Sequence, residues 1–144
     1  MRAVVVAGAG CGDACRGIDV KPMALVCSVS GSFAGEIHFD DAASFSSFLL
    51  DECLPDANEA DRQALVDNVD FTRDAVFVAA GLRQQQTRCI SDRKQDGVQV
   101  CQDGLRVGFA DTISDTSPCS GKWTVAFALP RAELRAALDT PVGE

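Results

Sequence analysis

The stretch from Val69 to Arg131 most constrains the fold, because it reads as several short strands in succession. In Asp74–Ala80, a strand would place Val76 and Val78 on one face and Phe77 on the other. In Lys122–Leu129, apolar residues alternate with small or polar ones, as is typical of a strand with one buried face. Pro130 ends the second of these strands and suits the first turn of a helix over Arg131–Asp139. The second half is therefore predicted to form a sheet that leads into a last helix.

A hairpin is predicted at Asp103-Gly104, a dipeptide favoured in two-residue turns between antiparallel strands. A turn at these two residues would pair Val100 with Val107 and Val98 with Phe109. All four side chains would then lie on one face of a half-buried sheet.

A second hairpin is predicted just before it, with a loop over Arg93–Gly97. A pairing symmetric about this loop places Ile90 opposite Val100, on the apolar face, and Cys89 opposite Cys101. The same register therefore predicts a disulfide between these two cysteines. The alternative is that each bonds across the fold, for example to one of two other cysteines, Cys119 or Cys53.

Two helices are predicted in the middle of the chain. Asp40 and Asp41 offer capping oxygens to a helix over Ala42–Cys53, and Asn58 offers one to a helix over Glu59–Asn68. Two further strands are predicted before them, at Met23–Ser30 and Glu36–Phe39. Together these elements predict an α+β fold: a mostly antiparallel sheet with two mid-chain helices and one C-terminal helix, stapled by disulfides.

Length and charge limit the classes of function. A chain of 144 residues with 47% hydrophobic residues is long enough for one globular domain with a sizeable core. Its net charge of -8, without a cluster of Lys and Arg, argues against a nucleic-acid partner.

Seven dispersed cysteines indicate a disulfide framework, which forms in oxidising compartments. No C-x-x-C pair occurs and His38 is the only histidine, so an ordinary zinc site would have few ligands. Six of the cysteines are candidates for disulfides: Cys15, Cys27, Cys53, Cys89, Cys101 and Cys119.

A lipoprotein signal at the N-terminus would account for the odd seventh cysteine. Met1–Gly10 has one positive charge, a short apolar run and then small residues, the layout of a secretory signal. Residues Gly8 to Cys11 resemble a bacterial lipoprotein cleavage box, although Gly8 stands where a Leu-like residue is usual, and lipidation of Cys11 would leave six cysteines for disulfides. We therefore predict a signal or lipoprotein segment over 1–14 and a single α+β domain over 15–144; the alternative is a buried first strand at Ala3–Ala7.

The sequence shows no convincing catalytic or cofactor motif. It contains no nucleophile elbow and no phosphate loop, and His38 falls in a predicted edge strand, so we assign no catalytic, cofactor-binding or metal-ligating residue. The acidic residues between Asp51 and Asp61 lack the spacing and the central Gly of a calcium loop, which favours a solvated pair of helices.

Two segments resemble the C-terminal domain of the PrcB family of bacterial secreted proteins and lipoproteins. They are Val69–Gly81, which reads VDFTRDAVFVAAG, and Ser117–Pro130, which reads SPCSGKWTVAFALP. The Thr-Gly-Gly-Tyr segment common in that family is replaced here by Gln86-Thr87-Arg88-Cys89. The resemblance implies an α+β module of the bacterial envelope that assists or binds another protein without an active site of its own.

The sequence thus favours a non-enzymatic binding or accessory module, extracytoplasmic and lipid-anchored or secreted, whose partner is another envelope protein. Two alternatives stay open: a secreted hydrolase or redox enzyme with an unrecognised site, and a disulfide-stapled protease inhibitor with an exposed loop over Thr112–Gly121.

Overall fold

The computed structural model describes residues 15–85, 88–101, 104–114 and 119–133. A helical turn over 131–133 follows the last strand, and the remainder of the helix predicted to reach Asp139 lies outside the described residues. The other elements in chain order are β1 (Arg16–Gly17), β2 (Lys21–Pro22), β3 (Gly35–Phe39), α1 (Ala42–Phe48), a π-helical turn (Leu49–Cys53), α2 (Glu59–Asp67), β4 (Asp74–Leu82), β5 (Gln84–Gln85), β6 (Arg88–Cys101), β7 (Gly104–Ile113) and β8 (Lys122–Pro130).

The strands form two antiparallel sheets. The first has the order β2-β8-β4-β3. In the second, β6 pairs with β7 along most of its length and with the short strands β1 and β5 near its two ends. The predicted fold class, α+β with mostly antiparallel strands and disulfides, is confirmed.

The first sheet is the middle of three layers, because both of its faces are buried. Val76 and Val78 of β4 face the helices and pack in one hydrophobic cluster with Phe45 and Phe48. Phe77, between them, belongs to a second cluster that lies between the two sheets. The prediction that these neighbouring residues face opposite sides is confirmed.

The two predicted caps begin the two helices. The Asp41 side chain accepts a hydrogen bond from the backbone N–H of Ser44 at 2.7 Å. The Asn58 side chain accepts one from the backbone N–H of Asp61 at 2.8 Å. Each cap satisfies an N–H group that has no partner within its own helix.

Two predicted elements have a different form. The helix predicted over Ala42–Cys53 is α-helical only to Phe48 and then widens into the π-helical turn. The strand predicted over Met23–Ser30 is irregular: the Met23 N–H still donates to a carbonyl of β8, but the Cys27 N–H donates to a threonine hydroxyl. Only Lys21–Pro22 of this region pairs as a strand.

The hairpin between β6 and β7 has a register two residues away from the predicted one. Cys101 lies opposite Gly104, and Val100 lies opposite Leu105 instead of Val107. A shift of two residues leaves every side chain on the same face, so the hydrophobic pattern does not distinguish the two registers.

The hairpin predicted with a loop over Arg93–Gly97 is wrong, because β6 passes straight through that segment. Ile90 lies opposite Ile113 of β7. Asp96 and Gly97 form a bulge opposite Gly108, and Gly97 has a φ of 98°, which a glycine adopts without a steric penalty. The bulge absorbs the extra residue that the prediction assigned to a turn.

The predicted disulfide between Cys89 and Cys101 is therefore wrong. These residues lie near opposite ends of one strand, about 40 Å apart at the rise of an extended chain. The disulfides are instead Cys15–Cys101, which extends the pairing of β1 with β6 within the second sheet, Cys89–Cys119, which joins β6 to the segment before β8, and Cys27–Cys53, which joins the irregular segment after β2 to the π-helical turn.

Candidate functional site

The outer edge of β7 is the most prominent candidate for a binding surface. This strand is ten residues long and pairs on one side with β6. On its other side, no strand of the described part of the chain pairs with it. An unpaired edge presents a row of N–H and C=O groups to which another strand can bind.

Hydrogen bonds at one end of β6 show which peptide groups of β7 point outward. The Ile18 N–H donates to the Val98 carbonyl at 3.0 Å, so the peptide groups of Val98 point to β1. Peptide groups alternate in direction along a strand, so the peptide groups of Gln99 point to β7, and those of its partner Arg106 point back to β6. The outward groups on β7 therefore belong to every second residue: Leu105, Val107, Phe109, Asp111 and Ile113.

A hydrogen bond at the far end of β7 fits the same alternation of inward and outward peptide groups. The Ser114 N–H donates to the Cys89 carbonyl at 2.9 Å, as expected if the even-numbered residues point to β6. Both irregularities of the ladder insert their extra residues into β6, so the alternation along β7 is unbroken. The five outward peptide groups have no hydrogen-bond partner among residues 15–85, 88–101, 104–114 and 119–133.

Side chains on β7 leave this edge accessible. Leu105, Val107 and Phe109 pack against the cluster between the sheets but remain half-buried, and Ile113 is 42% exposed. On the solvent face, Arg106 is the one charged side chain among Gly108 and its neighbours, and no proline interrupts β7.

The outer strands of the first sheet contrast with β7. β3 is five residues long and carries two polar, exposed side chains, Glu36 and His38. β2 is two residues long and contains Pro22, which has no N–H to offer a new strand. Only β7 combines length with apolar composition among the outer strands of the described chain.

Arg93 fixes β7 to the first sheet. Its Nε and Nη2 atoms donate to the two carboxylate oxygens of Asp111 at 2.5 and 2.6 Å, a bidentate pair across the strands β6 and β7. Its guanidinium carbon lies 4.3 Å from the centroid of the Trp123 ring and 5.4 Å from that of Phe109. Both charged side chains are largely buried, so the edge is held in a defined position.

This pair also sets the ionisation of Asp111. The hydrogen bonds from Arg93 lower the pKa of the Asp111 carboxyl group below its ordinary value, against the opposing effect of partial burial. The Arg88 guanidinium, 3.8 Å away, lowers it further. Asp111 is therefore ionised at neutral pH, and its charge is compensated within the molecule.

An open cleft lies beside the bulge of β6, and it offers little catalytic chemistry. Asp19 and Asp96 contribute carboxylates, and Arg106 contributes a guanidinium. The described residues that line it include no histidine, cysteine or serine, so the cleft lacks a nucleophile with a paired base. In the same part of the chain, no three His, Cys, Asp or Glu side chains come together as a metal site.

The predicted site residues are distributed over the molecule and do not converge. All six candidate cysteines are disulfide-bonded, and Cys11 lies outside the described residues. His38 lies exposed on β3. The loop proposed for an inhibitor, Thr112–Gly121, is partly strand, because Thr112 and Ile113 end β7; its residues 115–118 lie outside the described residues.

Sequence reasoning does not identify the edge of β7 as a site. The alternation of Leu105, Val107 and Phe109 indicates a buried face, and the structure places them on one. Whether a further strand pairs with β7 depends on residues far apart in sequence, and a strand pattern does not contain that information.

No helix among the described residues is both long and apolar enough to cross a membrane. Comparison of the chain with known protein families, with characterised proteins and with solved structures gives no match.

Proposed function

We propose that this protein is a non-enzymatic binding module of an extracytoplasmic compartment, and that it binds an extended segment of a polypeptide as an added strand along β7. The observation that carries this proposal is the open edge of the ten-residue strand β7. Along it, the N–H and C=O groups of five residues point outward and have no hydrogen-bond partner in the described part of the chain. Strand addition of this kind takes its affinity from backbone hydrogen bonds and its specificity from alternate side chains.

The disulfides support the choice of compartment. Three pairs connect residues that are 86, 26 and 30 positions apart, so they staple distant segments of the domain. Disulfides of this structural kind persist in oxidising compartments and are rare in a reducing cytosol. We further propose that the protein is held at the bacterial envelope through a lipid on Cys11, and the support for this anchor is the sequence box alone.

The resemblance to the PrcB family remains a hypothesis of the same kind. It would fit a module that assists another envelope protein, and an edge strand would give such a module a surface to use. The PrcB resemblance and the edge of β7 are independent lines of support.

The test uses a phage-displayed library of random decapeptides, selected on the immobilised, oxidised protein. We expect enriched sequences with apolar residues at every second position, because one face of an added strand would extend the layer of Leu105, Val107 and Phe109. Chemical-shift changes on binding should map to β7.

A proline substitution provides the decisive variant. The Val107 N–H points outward, so Val107→Pro removes a donor from the edge without removing a bond of the β6–β7 ladder. Val107→Ala is the matched control, since it shortens the same side chain and keeps the N–H. Selected peptides should bind Val107→Pro at least tenfold more weakly than Val107→Ala. Equal affinity for the two variants, or binding that maps away from β7, would refute the proposal.

A further inference from the structure

We propose that the strand received along β7 is β7 of a second copy of this chain, in an antiparallel dimer with Phe109 of one subunit opposite Phe109 of the other. This inference rests on the proposed function, because it needs the same open edge, and it names the polypeptide that occupies it. A twofold dimer is the commonest closed assembly of identical chains, and its interface must be complementary to itself.

One register satisfies every outward peptide group of β7. Two antiparallel strands exchange hydrogen bonds between residues whose peptide groups point at each other. The outward residues run from Leu105 to Ile113 with Phe109 at their centre. A twofold axis at Phe109 therefore pairs all five on each strand, which gives about ten hydrogen bonds.

An axis displaced by one residue satisfies fewer groups. With the axis at Gly108, Leu105 would lie opposite Asp111, and Ile113 would extend beyond the end of the partner strand. The outward peptide group of Ile113 would then have no partner, and its exposed side chain would gain no apolar neighbour.

The side chains also match in the register centred on Phe109. On the inner face, Leu105 lies opposite Ile113 of the other copy, and the two Phe109 side chains are direct neighbours. Val107 lies opposite Asp111, whose carboxylate is bound by Arg93 of its own chain. Ile113, which is 42% exposed in the single chain, thereby gains an apolar neighbour. On the solvent face, Gly108 lies opposite Ala110, and neither residue obstructs the approach of the two backbones.

Charge permits this pairing in spite of the acidic chain. The net charge is -8, and charges of one sign on facing surfaces would oppose association. β7 itself carries one Arg and one Asp, so the two facing strands are neutral overall. The carboxylate of Asp111 is already compensated by Arg93, so it brings no uncompensated charge to the interface.

The first measurement is the mass of the oxidised protein in solution, by light scattering over a range of concentrations. We expect wild type to form a dimer and Val107→Pro to dissociate at least tenfold more readily than Val107→Ala. Circular dichroism and thermal unfolding establish that each variant is folded. A dimer that is as stable with Val107→Pro as with Val107→Ala overturns the inference.

The second measurement tests the register and does not depend on proline. In a Cys11→Ser background, one preparation carries Arg106→Cys and another carries Thr112→Cys. These positions lie opposite each other in the proposed dimer as a non-hydrogen-bonded pair, with Cβ atoms about 4.5 Å apart, close enough for a disulfide.

Mild oxidation of the mixture should give a cross-linked dimer on non-reducing electrophoresis, and each preparation alone should give little. Peptide mapping should show a disulfide between the two introduced thiols, one on each chain. Equal cross-linking with or without mixing, or no cross-link from the mixture, overturns the register.

The outcomes separate this inference from the function on which it rests. A wild-type protein that stays monomeric, but binds library peptides more weakly after Val107→Pro, overturns the second copy as occupant and leaves the strand-accepting edge in place. A monomer whose library peptides bind without regard to Val107→Pro overturns both.

Discussion

The contacts of Arg93 with Asp111 and Trp123 should contribute strongly to the stability of the fold. Replacing Arg93 by Met keeps a long, flexible side chain of similar reach over Trp123, but removes the charge and both hydrogen bonds to Asp111. Asp111, whose side chain is only 17% exposed, would keep one cation nearby, Arg88 at 3.8 Å.

The magnitude follows from the burial of the pair. Exposed ion pairs contribute about 0–1 kcal/mol, and breaking a fully buried pair costs about 3–5 kcal/mol. The Arg93 and Asp111 side chains are 13% and 17% exposed, which places them between these limits but nearer to the buried one. The contact with Trp123 adds about 1 kcal/mol. We expect Arg93→Met to lower the free energy of unfolding by about 2–4 kcal/mol.

The chain carries its own probe for this measurement. Trp123 is the only tryptophan, and it lies directly against the Arg93 guanidinium, so its fluorescence reports loss of this packing. Denaturant unfolding of wild type, Arg93→Met, Asp111→Asn and the double variant gives a thermodynamic cycle. The coupling between the two residues should exceed about 1 kcal/mol.

Arg93→Lys is the matched control for charge. It keeps a cation near Asp111, but it loses the bidentate pair of hydrogen bonds and the stacking of the planar guanidinium on Trp123. We expect it to lie between wild type and Arg93→Met. A loss below about 0.5 kcal/mol for Arg93→Met, or additive effects in the cycle, would show that solvent screens the pair and that it does not hold β7 in place.

Three further predictions concern ionisation, oxidation and anchoring. Because Arg93 lowers the pKa of Asp111 in the folded protein, the pair stabilises above the unfolded pKa of about 3.9, and this contribution is lost as the pH falls through the folded pKa. The stability difference between wild type and Arg93→Met should therefore shrink in acid, and a constant difference from pH 7 to pH 2 would contradict the assignment. Six of the seven cysteines are in disulfides, so if Cys11 is unmodified, thiol titration of the denatured, unreduced protein should find a single thiol, and none after Cys11→Ser. Replacing Cys15 and Cys101 by Ala should lower the free energy of unfolding by about 4–5 kcal/mol, because the disulfide closes a loop of 86 positions and restricts the unfolded chain. If Cys11 carries a lipid, Cys11→Ser should move the protein from the membrane fraction to the supernatant with unchanged circular dichroism, whereas unchanged fractionation would argue against the anchor.

The elements that the sequence predicts well are those whose cause is local. Asp41 and Asn58 begin their helices because a capping side chain bonds to an N–H group only three residues away. β4 and β8 are predictable because the alternation of side chains along a strand is a property of the extended backbone itself. The fold class follows from these elements.

Predictions that depend on distant partners are the ones that are wrong. The segment Arg93–Gly97 favours a loop on sequence alone, because it is polar and charged and the sequence does not show which residues would pair with its charges in a sheet. In the structure, Arg93 donates hydrogen bonds to the carboxylate of Asp111, which lies 18 residues later, and Gly97 lies in a bulge of β6.

The disulfide pattern and the open edge belong to the tertiary structure for the same reason. Alternating hydrophobicity determines which face of a strand is buried, but a shift of two residues preserves the faces and changes every partner. Cys101 therefore bonds to Cys15, which the pairing of β1 with β6 brings beside it, and Cys89 bonds to Cys119, in the segment before β8 of the first sheet. Local patterns in the chain are enough to place the helix starts and most of the strands with their buried faces. Which cysteines meet, and the position of β7 at an edge, depend on strand pairing and on the packing of the two sheets, because both rest on contacts between residues far apart in the chain.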